Sequence, residues 1–315
     1  MTKLNILVTG CGGDIGQSIG KILNNFSFVE NVYGIDICDK NAAKFIFKNF
    51  SFGIPCSDKN YLIFLEQFIE EHQIDFVIPI SEPELRLFCD LKNDFAIGQA
   101  HLLTSCLNSM IIGFDKYLTY EFLKQNELPF PITKRIEDTK SLESYPQIFK
   151  SRSGAGSKNV YLIENQLDFD YFARKHNKSF IIQEFINDQQ GEYTCGVYRS
   201  STGIIRTIIL KRELKGDQTG YAESVEHKNI QVLLVRIAEK LNLVGSINIQ
   251  LRLKNDQPYV FEINPRFSST VLFRELLGFR DVLWSIQDKL GLPLDEYFDT
   301  SIGKKIYKGF SEFVK

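Results

Sequence analysis

The sequence predicts an α/β protein in which a doubly wound parallel sheet is followed by a region of antiparallel strands and helices. Two observations lead to this prediction. Over residues 1–112, short apolar runs alternate with segments of helical periodicity, as in strands joined by crossover helices. After a change in composition at residues 105–114, strand-like runs follow one another across short polar turns, as antiparallel hairpins do.

The N-terminal part contains three predicted strands and two predicted helices. The strands are the apolar runs at residues 4–8, 32–35 and 76–80, and the helices are at residues 17–23 and 61–71. A glycine-rich turn separates the first strand from the first helix. Because strands joined in this way form a parallel sheet covered on both faces, we expect this sheet to be buried.

The second part is predicted to begin with a helix at residues 115–125, which ends before Pro129 and Pro131. Strands are predicted at residues 147–150, 159–163, 180–186, 192–198, 204–210, 246–253 and 259–264. Helices are predicted at residues 169–176 and 232–241, and the C-terminal region is predicted to be helical. This mixture indicates an α+β arrangement after the parallel sheet.

Composition and charge exclude several classes of protein. Of 315 residues, 43% are hydrophobic and 24% are charged, so disorder is not expected as the main state. The 37 Lys and Arg residues nearly balance the 39 Asp and Glu residues, so we expect no nucleic-acid partner and no anionic membrane. The first apolar run is too short for a signal peptide, and no run approaches the ~18 apolar residues of a membrane span.

The cysteines and histidines show no metal-binding spacing. The six cysteines are scattered, without a CxxC pair, and the four histidines form no ligand pattern. We therefore expect reduced, mostly buried thiols and a cytoplasmic protein. The cysteines are Cys11, Cys38, Cys56, Cys89, Cys106 and Cys195.

A predicted hairpin at residues 246–264 contains candidate metal ligands. If its turn at residues 254–258 is centred on Asp256, Gln250 lies across from Glu262, and Asn264 lies on the same face. Carboxylate and amide oxygens suit Mg²⁺, and Arg266 just beyond the strand would neutralise charge on a transferring phosphoryl group. An ordinary exposed sheet face is the alternative interpretation.

A glycine-rich loop at residues 150–158 is a candidate phosphate site. Its small residues let backbone N–H groups approach phosphate oxygens, and Lys150, Arg152 and Lys158 add positive charge. The order of residues is not that of a P-loop, which needs GxxxxGK[ST] before a helix. A flexible hairpin loop and a phosphate cover between two strands both remain open.

A third segment could receive a nucleoside. The apolar strand that ends at residues 183–186 offers backbone groups and Phe185 to an adenine edge. The carboxylates of Glu184 and Glu192 could accept hydrogen bonds from ribose hydroxyls. Taken separately, each glutamate is more typical of a surface charge.

These segments, in this order, resemble the ATP-grasp superfamily, in particular its carbamoyl-phosphate-synthase-like carboxylate–amine ligases. The resemblance covers nearly the whole chain. Residues 9–17 look like the opening turn of the Rossmann-like domain that precedes the grasp fold, and residues 79–85 look like the strand end that faces the substrate cleft. The element Glu-x-Asn-x-Arg at residues 262–266, combined with the upstream loop, makes the resemblance specific.

The resemblance assigns roles residue by residue. It implies contacts of Lys116 and Lys150 with the nucleotide phosphates, an adenine hinge at residues 183–186, and a ribose contact for Glu192. The implied magnesium ligands are Gln250, Glu262 and Asn264, with Arg266 facing the phosphates. The residues implied to bind the nucleotide are Lys116, Lys150, Arg152, Ser157, Gln183, Glu184, Phe185, Ile186 and Glu192.

The resemblance also implies an architecture and a reaction. Residues 1–112 would form the Rossmann-like domain, residues 113–186 the small grasp subdomain, and residues 187–315 the C-terminal subdomain with the metal site. The implied cofactors are ATP and Mg²⁺, with Mn²⁺ as a substitute. A small carboxylate, such as an amino acid or a sugar acid, would be joined to an amine or ammonia through an acyl phosphate. A homodimer is compatible with this description.

Two features refine this expectation. A single grasp unit is present, without a second synthetase half or a glutaminase segment, which favours a stand-alone ligase over carbamoyl-phosphate production. Lys211 and Arg212, at the predicted end of a strand, are candidates for a clamp on phosphate or on the acceptor carboxylate, and residues 215–220 for a cleft loop. A solvated charge cluster is the alternative.

The N-terminal glycines suggest a competing function. Glycines at residues 10, 12 and 16 follow a strand, and Asp36 lies downstream, which favours a dinucleotide site. However, Ile15 and Asp14 occupy the positions where the known patterns need glycine. An NAD(P)-dependent oxidoreductase or epimerase, and a non-catalytic nucleotide-binding protein, are therefore the alternative functions.

Overall fold

Three sheets make up the fold. The computed structural model describes residues 3–91, 96–154, 159–176, 179–187, 189–216, 218–299, 301–309 and 311–314. Along the chain the sheets follow one another without interleaving, and the last short strand lies at the edge of the third sheet. The predicted divisions after residues 112 and 186 fall between the sheets, and the assignment of three domains stays a prediction.

The N-terminal sheet is mostly parallel, with the strand order β3-β2-β1-β4-β6-β5. Among the strands that the described residues form here, only the β5–β6 pair is antiparallel. The first four positions of this order are those of a doubly wound nucleotide-binding sheet. Its strands are β1 (Leu4–Thr9), β2 (Val29–Asp36), β3 (Asn49–Phe52), β4 (Phe76–Pro79), β5 (Ala96–Ile97) and β6 (Ala100–Leu102), and its helices are α1 (Asp14–Leu23), α2 (Tyr61–Glu71) and α3 (Glu82–Asp90).

Helix α1 lies close to the turn that precedes it. A Cβ added at Gly16 would come within 2.6 Å of the Cα of Cys11, so only glycine allows this approach. The apolar side of the helix, including Ile19, Ile22 and Leu23, is buried against the sheet. The N-terminus of α1 is thereby fixed at the carboxyl edge of the sheet, where open α/β sheets bind ligands.

Two helices lead from this sheet to the second one: α4 (Leu107–Gly113) and α5 (Lys116–Gln125). The region of α4 was predicted only as a break in composition. Its seven residues are too few to show helical periodicity, and the helix packs on the third sheet, where a Cβ at Gly113 would lie 2.8 Å from the carbonyl oxygen of Ile263. Asp115 caps α5, as its side chain accepts from the N–H groups of Tyr117 and Leu118.

The second sheet is small and antiparallel, in the order β7-β10-β8-β9. Its core is aromatic: the Phe149 and Phe180 rings stack with centroids 4.9 Å apart, and Phe169 of the covering helix packs beside them. The elements are β7 (Thr133–Arg135), β8 (Gln147–Ser151), β9 (Val160–Ile163), α6 (Gln166–Lys175) and β10 (Phe180–Glu184).

The third sheet is antiparallel, in the order β15-β14-β11-β12-β13-β16. One face is covered by α7, which buries Leu233, Leu234 and Ile237 against it. The elements are β11 (Glu192–Arg199), β12 (Ile205–Lys215), β13 (Gln218–Ser224), α7 (Lys228–Lys240), β14 (Gly245–Lys254), β15 (Gln257–Asn264), α8 (Val271–Leu276), α9 (Asp281–Lys289) and β16 (Lys305–Tyr307).

The β14–β15 hairpin pairs Gln250 with Glu262, as predicted. The turn is tighter than expected: Asn255 and Asp256 form it alone, both with positive φ (53° and 62°), and Lys254 pairs with Gln257. A register shift between Gln250 and Leu251 then restores the predicted pairing. The shift leaves the backbone of Phe261 as an extra residue in β15.

The segment around Arg212 differs from the prediction. Lys211 and Arg212 lie inside β12 rather than at its end, because the strand continues to Lys215. Of the predicted cleft loop, residues 218–220 belong to β13, and Lys215 pairs directly with Gln218. Asp217 lies outside the described residues.

In the described part of the chain, no helix combines the length and the hydropathy that a membrane span requires.

Candidate functional site

The N-terminal region and the two antiparallel sheets contribute to one cavity of about 760 Å³. The start of helix α1 supplies Gly13 and Ile15, and Ile80 directly follows β4. The second sheet supplies Ile148, and the third supplies Leu214. The charged side chains that line it are five cations and four carboxylates. They are Lys116, Lys150, Arg212, Arg252 and Arg266, with Asp14, Glu184, Glu192 and Glu262.

The three predicted metal ligands, Gln250, Glu262 and Asn264, all line this cavity. The ammonium of Lys116 lies 3.2 Å from Oε1 of Glu262, so this carboxylate forms an ion pair with a lysine. Among the described residues, no three His, Cys, Asp or Glu side chains come together as a metal cluster. The oxygen donors nonetheless fit Mg²⁺, which is commonly held by one or two carboxylates together with substrate phosphates.

Charges around Glu262 control its ionisation. Burial alone would raise the pKa of this carboxyl, but the positive charges of Lys116, Lys150 and Arg266 outweigh burial and lower the pKa. Glu262 is therefore ionised at neutral pH. The geometry presents a negatively charged oxygen donor to any divalent cation that enters the cavity.

Lys150 is buried in the cavity wall. Its Nζ donates to the carbonyl oxygen of Phe261 (3.2 Å), the residue left unpaired by the register shift in β15. The pKa of Lys150 is lowered to about 7, chiefly by burial and then by the positive charge of Lys116, while Glu262 opposes the shift. The protonated form thus lacks an adequate counter-charge, and a phosphate would supply one.

Arg266 is the third cation at this end of the cavity. Burial lowers its pKa, while Glu262 and Glu82 favour the charged form. The guanidinium donates through Nη1 to the carbonyl oxygen of Phe267 (2.9 Å). An arginine stays protonated despite such a shift, so a fixed positive charge stands beside the predicted metal ligands.

Arg152, at the start of the glycine-rich loop, contacts the N-terminal cap of helix α5. The Arg152 guanidinium pairs with the Asp115 carboxylate, with Nη2 2.5 Å from Oδ2 and Nε within 3.2 Å of both oxygens. Arg152 therefore holds the cap of α5, the helix that presents Lys116. Lys116 also donates to the carbonyl oxygen of Gly154 (2.8 Å). Ser157, together with Lys158, lies outside the described residues.

The predicted adenine hinge borders the same cavity. Gln183, Glu184, Phe185 and Ile186 all line it. The Gln183 side chain is buried and donates to the hydroxyl of Thr133 (2.9 Å). This bond joins β10 to β7 beside the cavity.

Glu184 lines the cavity with its carboxylate already engaged. One oxygen lies 2.7 Å from Nζ of Lys254, and the other accepts from the N–H group of Ile132 (3.2 Å). A ribose hydroxyl that donates to Glu184 would therefore share a carboxylate oxygen with Lys254 or with the N–H group of Ile132.

Glu192 lies between two arginines. Its Oε1 accepts from Nε and Nη2 of Arg212 (3.0 and 2.6 Å), and its Oε2 accepts from Nε and Nη2 of Arg252 (3.0 and 2.7 Å). Arg212 also donates to Oε1 of Gln250 (3.0 Å), and Arg252 to the carbonyl oxygen of Ile186 (2.9 Å). We call Arg212, Glu192 and Arg252 the arginine clamp, which connects the hinge to a predicted metal ligand.

The clamp gives Glu192 a role that a ribose contact alone would not. In Glu192→Gln, two arginines would face a neutral amide, so we expect the free energy of unfolding to fall by about 2 kcal/mol. This is below the roughly 3–5 kcal/mol for breaking a fully buried pair, because Arg252 is 24% exposed. Urea unfolding measures the change, with Glu213→Gln at an exposed site on β12 as the control. An unchanged unfolding midpoint would leave ribose binding as the main role of Glu192.

Lys211 is separated from the cavity by the pleat of β12. Neighbouring residues of a strand point to opposite faces, and Arg212 and Leu214 line the cavity while Lys211 is exposed on the other face. A Cβ at Gly191 would come within 2.4 Å of Cε of Lys211, so the side chain lies across Gly191. We therefore leave Lys211 out of the site and keep Arg212.

The N-terminal glycine turn is bonded to Asp36 and closely packed at Gly12. One oxygen of Asp36 accepts from the N–H of Gly12 (2.7 Å) and the other from the N–H of Cys38 (2.9 Å). A Cβ at Gly12 would lie 2.5 Å from Nδ2 of Asn41 and 2.8 Å from the Asp36 carboxylate. Asp36, the acidic residue of the dinucleotide pattern, is thus hydrogen-bonded to the backbone of its own segment and of the turn, and the NAD(P) function stays an alternative hypothesis.

Comparisons with known proteins identify the central part of the chain. Residues 114–270 match the ATP-grasp domain family. The sequence is 29% identical over 159 residues to an uncharacterised protein of Mycoplasma genitalium, covering 49% of this chain and 55% of that protein. It is 26% identical over 241 residues to the carbamoyl phosphate synthase large chain of Thermoplasma acidophilum, covering 68% of this chain but 23% of that one. The chain thus spans about half or less of these two relatives.

Two further proteins match over most of their length. The tyramine–L-glutamate ligase of Methanocaldococcus fervens is 22% identical over 254 residues, covering 79% of this chain and 78% of that one. The crystal structure of N5-carboxyaminoimidazole ribonucleotide synthetase from Thermus thermophilus superposes with a TM-score of 0.74 at 15% identity. That superposition covers 95% of this chain and 81% of the synthetase. At this identity the likeness establishes the fold alone.

Proposed function

The chain is an ATP-grasp protein whose ATP-grasp domain spans residues 114–270, and from this premise we propose that it is an ATP- and Mg²⁺-dependent ligase. It joins a small carboxylic acid, such as an amino acid or a sugar acid, to an amine or ammonia. One observation carries the proposal: Lys116, Lys150, Arg266 and Glu262 converge on a single cavity that also contains the predicted adenine hinge.

The proposed reaction needs no nucleophilic side chain. A carboxylate oxygen of the acid attacks the γ-phosphorus of ATP, and the bond from this phosphorus to the β,γ-bridging oxygen breaks to release ADP. The amine nitrogen then attacks the acyl carbon, phosphate leaves with the electron pair of the carbon–oxygen bond, and the nitrogen loses a proton. Positioning and charge supply most of the catalysis in phosphoryl transfer.

The residues of the cavity divide this work. Lys150 and Lys116 hold phosphate oxygens, and Arg266 stabilises negative charge on the phosphoryl group in transfer. Glu262, Asn264 and Gln250 would hold Mg²⁺, which would neutralise charge on the phosphates. With Mg²⁺ held by Glu262, the ammonium of Lys116 would be available to the nucleotide phosphates. The arginine clamp fixes the position of Gln250 relative to the hinge.

The relatives support an amide-forming ligase over other phosphoryl-transfer enzymes. One of them is named for joining tyramine to L-glutamate, an amine to an amino acid. It matches this chain over 78% of its own length, so the likeness extends beyond the ATP-grasp domain.

A thermal-shift panel with MgATP, MgADP, NAD⁺ and NADPH tests this function. A ligand at about 100 times its dissociation constant stabilises a protein by about 2.7 kcal/mol, which raises the melting temperature by several degrees. We expect a shift with the adenine nucleotides that is lost on chelating Mg²⁺ and restored by Mn²⁺. Acids and amines are then screened for ADP release. A shift with NAD⁺ or NADPH alone would favour the oxidoreductase, and nucleotide binding without ADP release would favour a non-catalytic protein.

A further inference from the structure

A lysine of the C-terminal segment reaches the cavity wall beside the N-terminal sheet. Lys308 follows β16, and its ammonium donates to Oδ1 of Asp14 and to Oε1 of Gln218 (3.1 Å). Both acceptors line the cavity. They come from helix α1 and strand β13, so three distant parts of the chain meet at this ammonium. The cavity wall therefore contains a site that already binds one alkylammonium group.

The chemistry of this site selects for a cation. Its polar groups are a carboxylate and an amide oxygen, and the apolar side chains of Ile15 and Ile80 line the cavity near α1. The second oxygen of Asp14 is buried and has no hydrogen-bond partner. Buried carboxylate oxygens are normally paired, so Asp14 offers more acceptor capacity than Lys308 uses. A second or a larger ammonium donor can use this spare oxygen.

The segment that carries Lys308 is held weakly enough to be displaced. Strand β16 has three residues and lies at the edge of the third sheet. Its last residue, Tyr307, is 70% exposed. Beyond it, the described residues add one backbone hydrogen bond, from Lys308 to the carbonyl oxygen of Gly220 (2.9 Å), and a stack of the exposed Phe313 ring on Phe45. Short edge strands with few buried contacts open at low free energy.

Resting on the function proposed above, we propose that Asp14 and Gln218 form the binding site of the amine substrate, and that this substrate is a primary alkylamine bound as its ammonium. Lys308 is an internal competitor that fills the site until the amine displaces it. The site shares one cavity with Arg266 and Glu262, where the acyl phosphate forms. An amine bound here is therefore held in the same enclosed space as its electrophile. Before its nitrogen attacks the acyl carbon, the ammonium gives one proton to the carboxylate of Asp14, which frees the lone pair for the attack.

The test uses n-propylammonium chloride, because Lys308→Ala removes this portion of the side chain. The full-length protein, Lys308→Ala, Asp14→Asn and the double variant are compared, with Lys305→Ala as the control for loss of a positive charge from the same segment. Calorimetry measures binding of n-propylammonium in the presence of MgATP. Steady-state ADP release measures the KM for the amine identified by screening, and hydroxamate formation with hydroxylamine measures acyl phosphate without an ammonium ligand.

We expect Lys308→Ala to lower the KM for the amine about tenfold, the factor for a site that is free one-tenth of the time. In this variant n-propylammonium should bind, and should act as the amine or compete with it. Asp14→Asn should raise the KM at least about tenfold, and Lys308→Ala should have no further effect in that background, since the two changes act on one site. Hydroxamate formation and the KM for ATP should be the same in all variants.

Two results separate failure of this inference from failure of the proposed function. If n-propylammonium binds to Lys308→Ala without affecting amine-dependent ADP release, and the KM for the amine stays at the wild-type value, Lys308 is only a structural contact. If the wild type binds MgATP but neither amine-dependent ADP release nor hydroxamate formation occurs, the ligase function itself is overturned.

Discussion

Glu262→Gln should give a folded protein in which ADP release falls by about a hundredfold or more, the scale for removing one preorganised electrostatic partner. Glu262 is the only carboxylate among the three proposed metal ligands, and Lys116, Lys150 and Arg266 keep it ionised. The amide keeps the shape and an oxygen donor but loses the charge. Lys116 and Lys150 would then stand close together without the counter-charge that Glu262 now supplies.

The measurement is ADP release under saturating MgATP, followed by a Mg²⁺ titration of each variant. Glu213→Gln on β12 is the matched control, because Glu213 is exposed on the same sheet and lies outside the cavity. The variant should need more Mg²⁺ for half-maximal rate, whereas the control should match the wild type. Turnover near the wild-type rate in Glu262→Gln would remove Glu262 from the metal site.

The β14–β15 hairpin shows which features of the site the sequence pattern can predict and which it cannot. Alternation of apolar and polar residues was sufficient to predict the face shared by Gln250, Glu262 and Asn264. The turn was placed one residue too widely, yet the pairing of Gln250 with Glu262 was correct because of the shift at Phe261. No local pattern reveals such a bulge, since it depends on the partner strand. Its consequence is chemical: the freed carbonyl of Phe261 accepts from Lys150.

Contacts between distant segments were beyond the reach of sequence patterns. Arg252 lies two residues from Gln250 on the same strand, so the sequence pattern already places both side chains on one face. The bond of Arg252 to Glu192, however, depends on the pairing of β11 with β14, which joins residues 60 positions apart. The Asp14–Lys308 contact joins residues separated by 294 positions, and the glycine-rich turn that contains Asp14 gives no signal for a lysine so far along the chain. The fold class and the family residues were readable because they depend on periodicity and short motifs, whereas these charges are placed by tertiary packing.

Nucleotide binding should take up about one proton near pH 8, because Lys150 changes its ionisation when phosphate arrives. In the free protein the pKa of Lys150 is lowered to about 7, first by burial and then by Lys116. An anionic phosphate oxygen favours the ammonium form and raises this pKa in the complex. Between the two pKa values the complex holds more protons than the free protein, so affinity should decrease as pH rises above about 7 and level off below it.

Calorimetry of MgADP binding in two buffers with different ionisation heats measures this uptake directly. Lys150→Arg keeps a positive charge that does not titrate, so it should bind nucleotide without the proton and without the pH dependence. Lys150→Ala removes a charge-assisted hydrogen bond of roughly 1.5–3 kcal/mol and should weaken binding about tenfold to a hundredfold at neutral pH. If wild-type binding is independent of the buffer at pH 8, or if Lys150→Ala binds MgADP with wild-type affinity, then Lys150 does not contact the phosphates. The lowered pKa would in that case reflect burial against Phe261 alone.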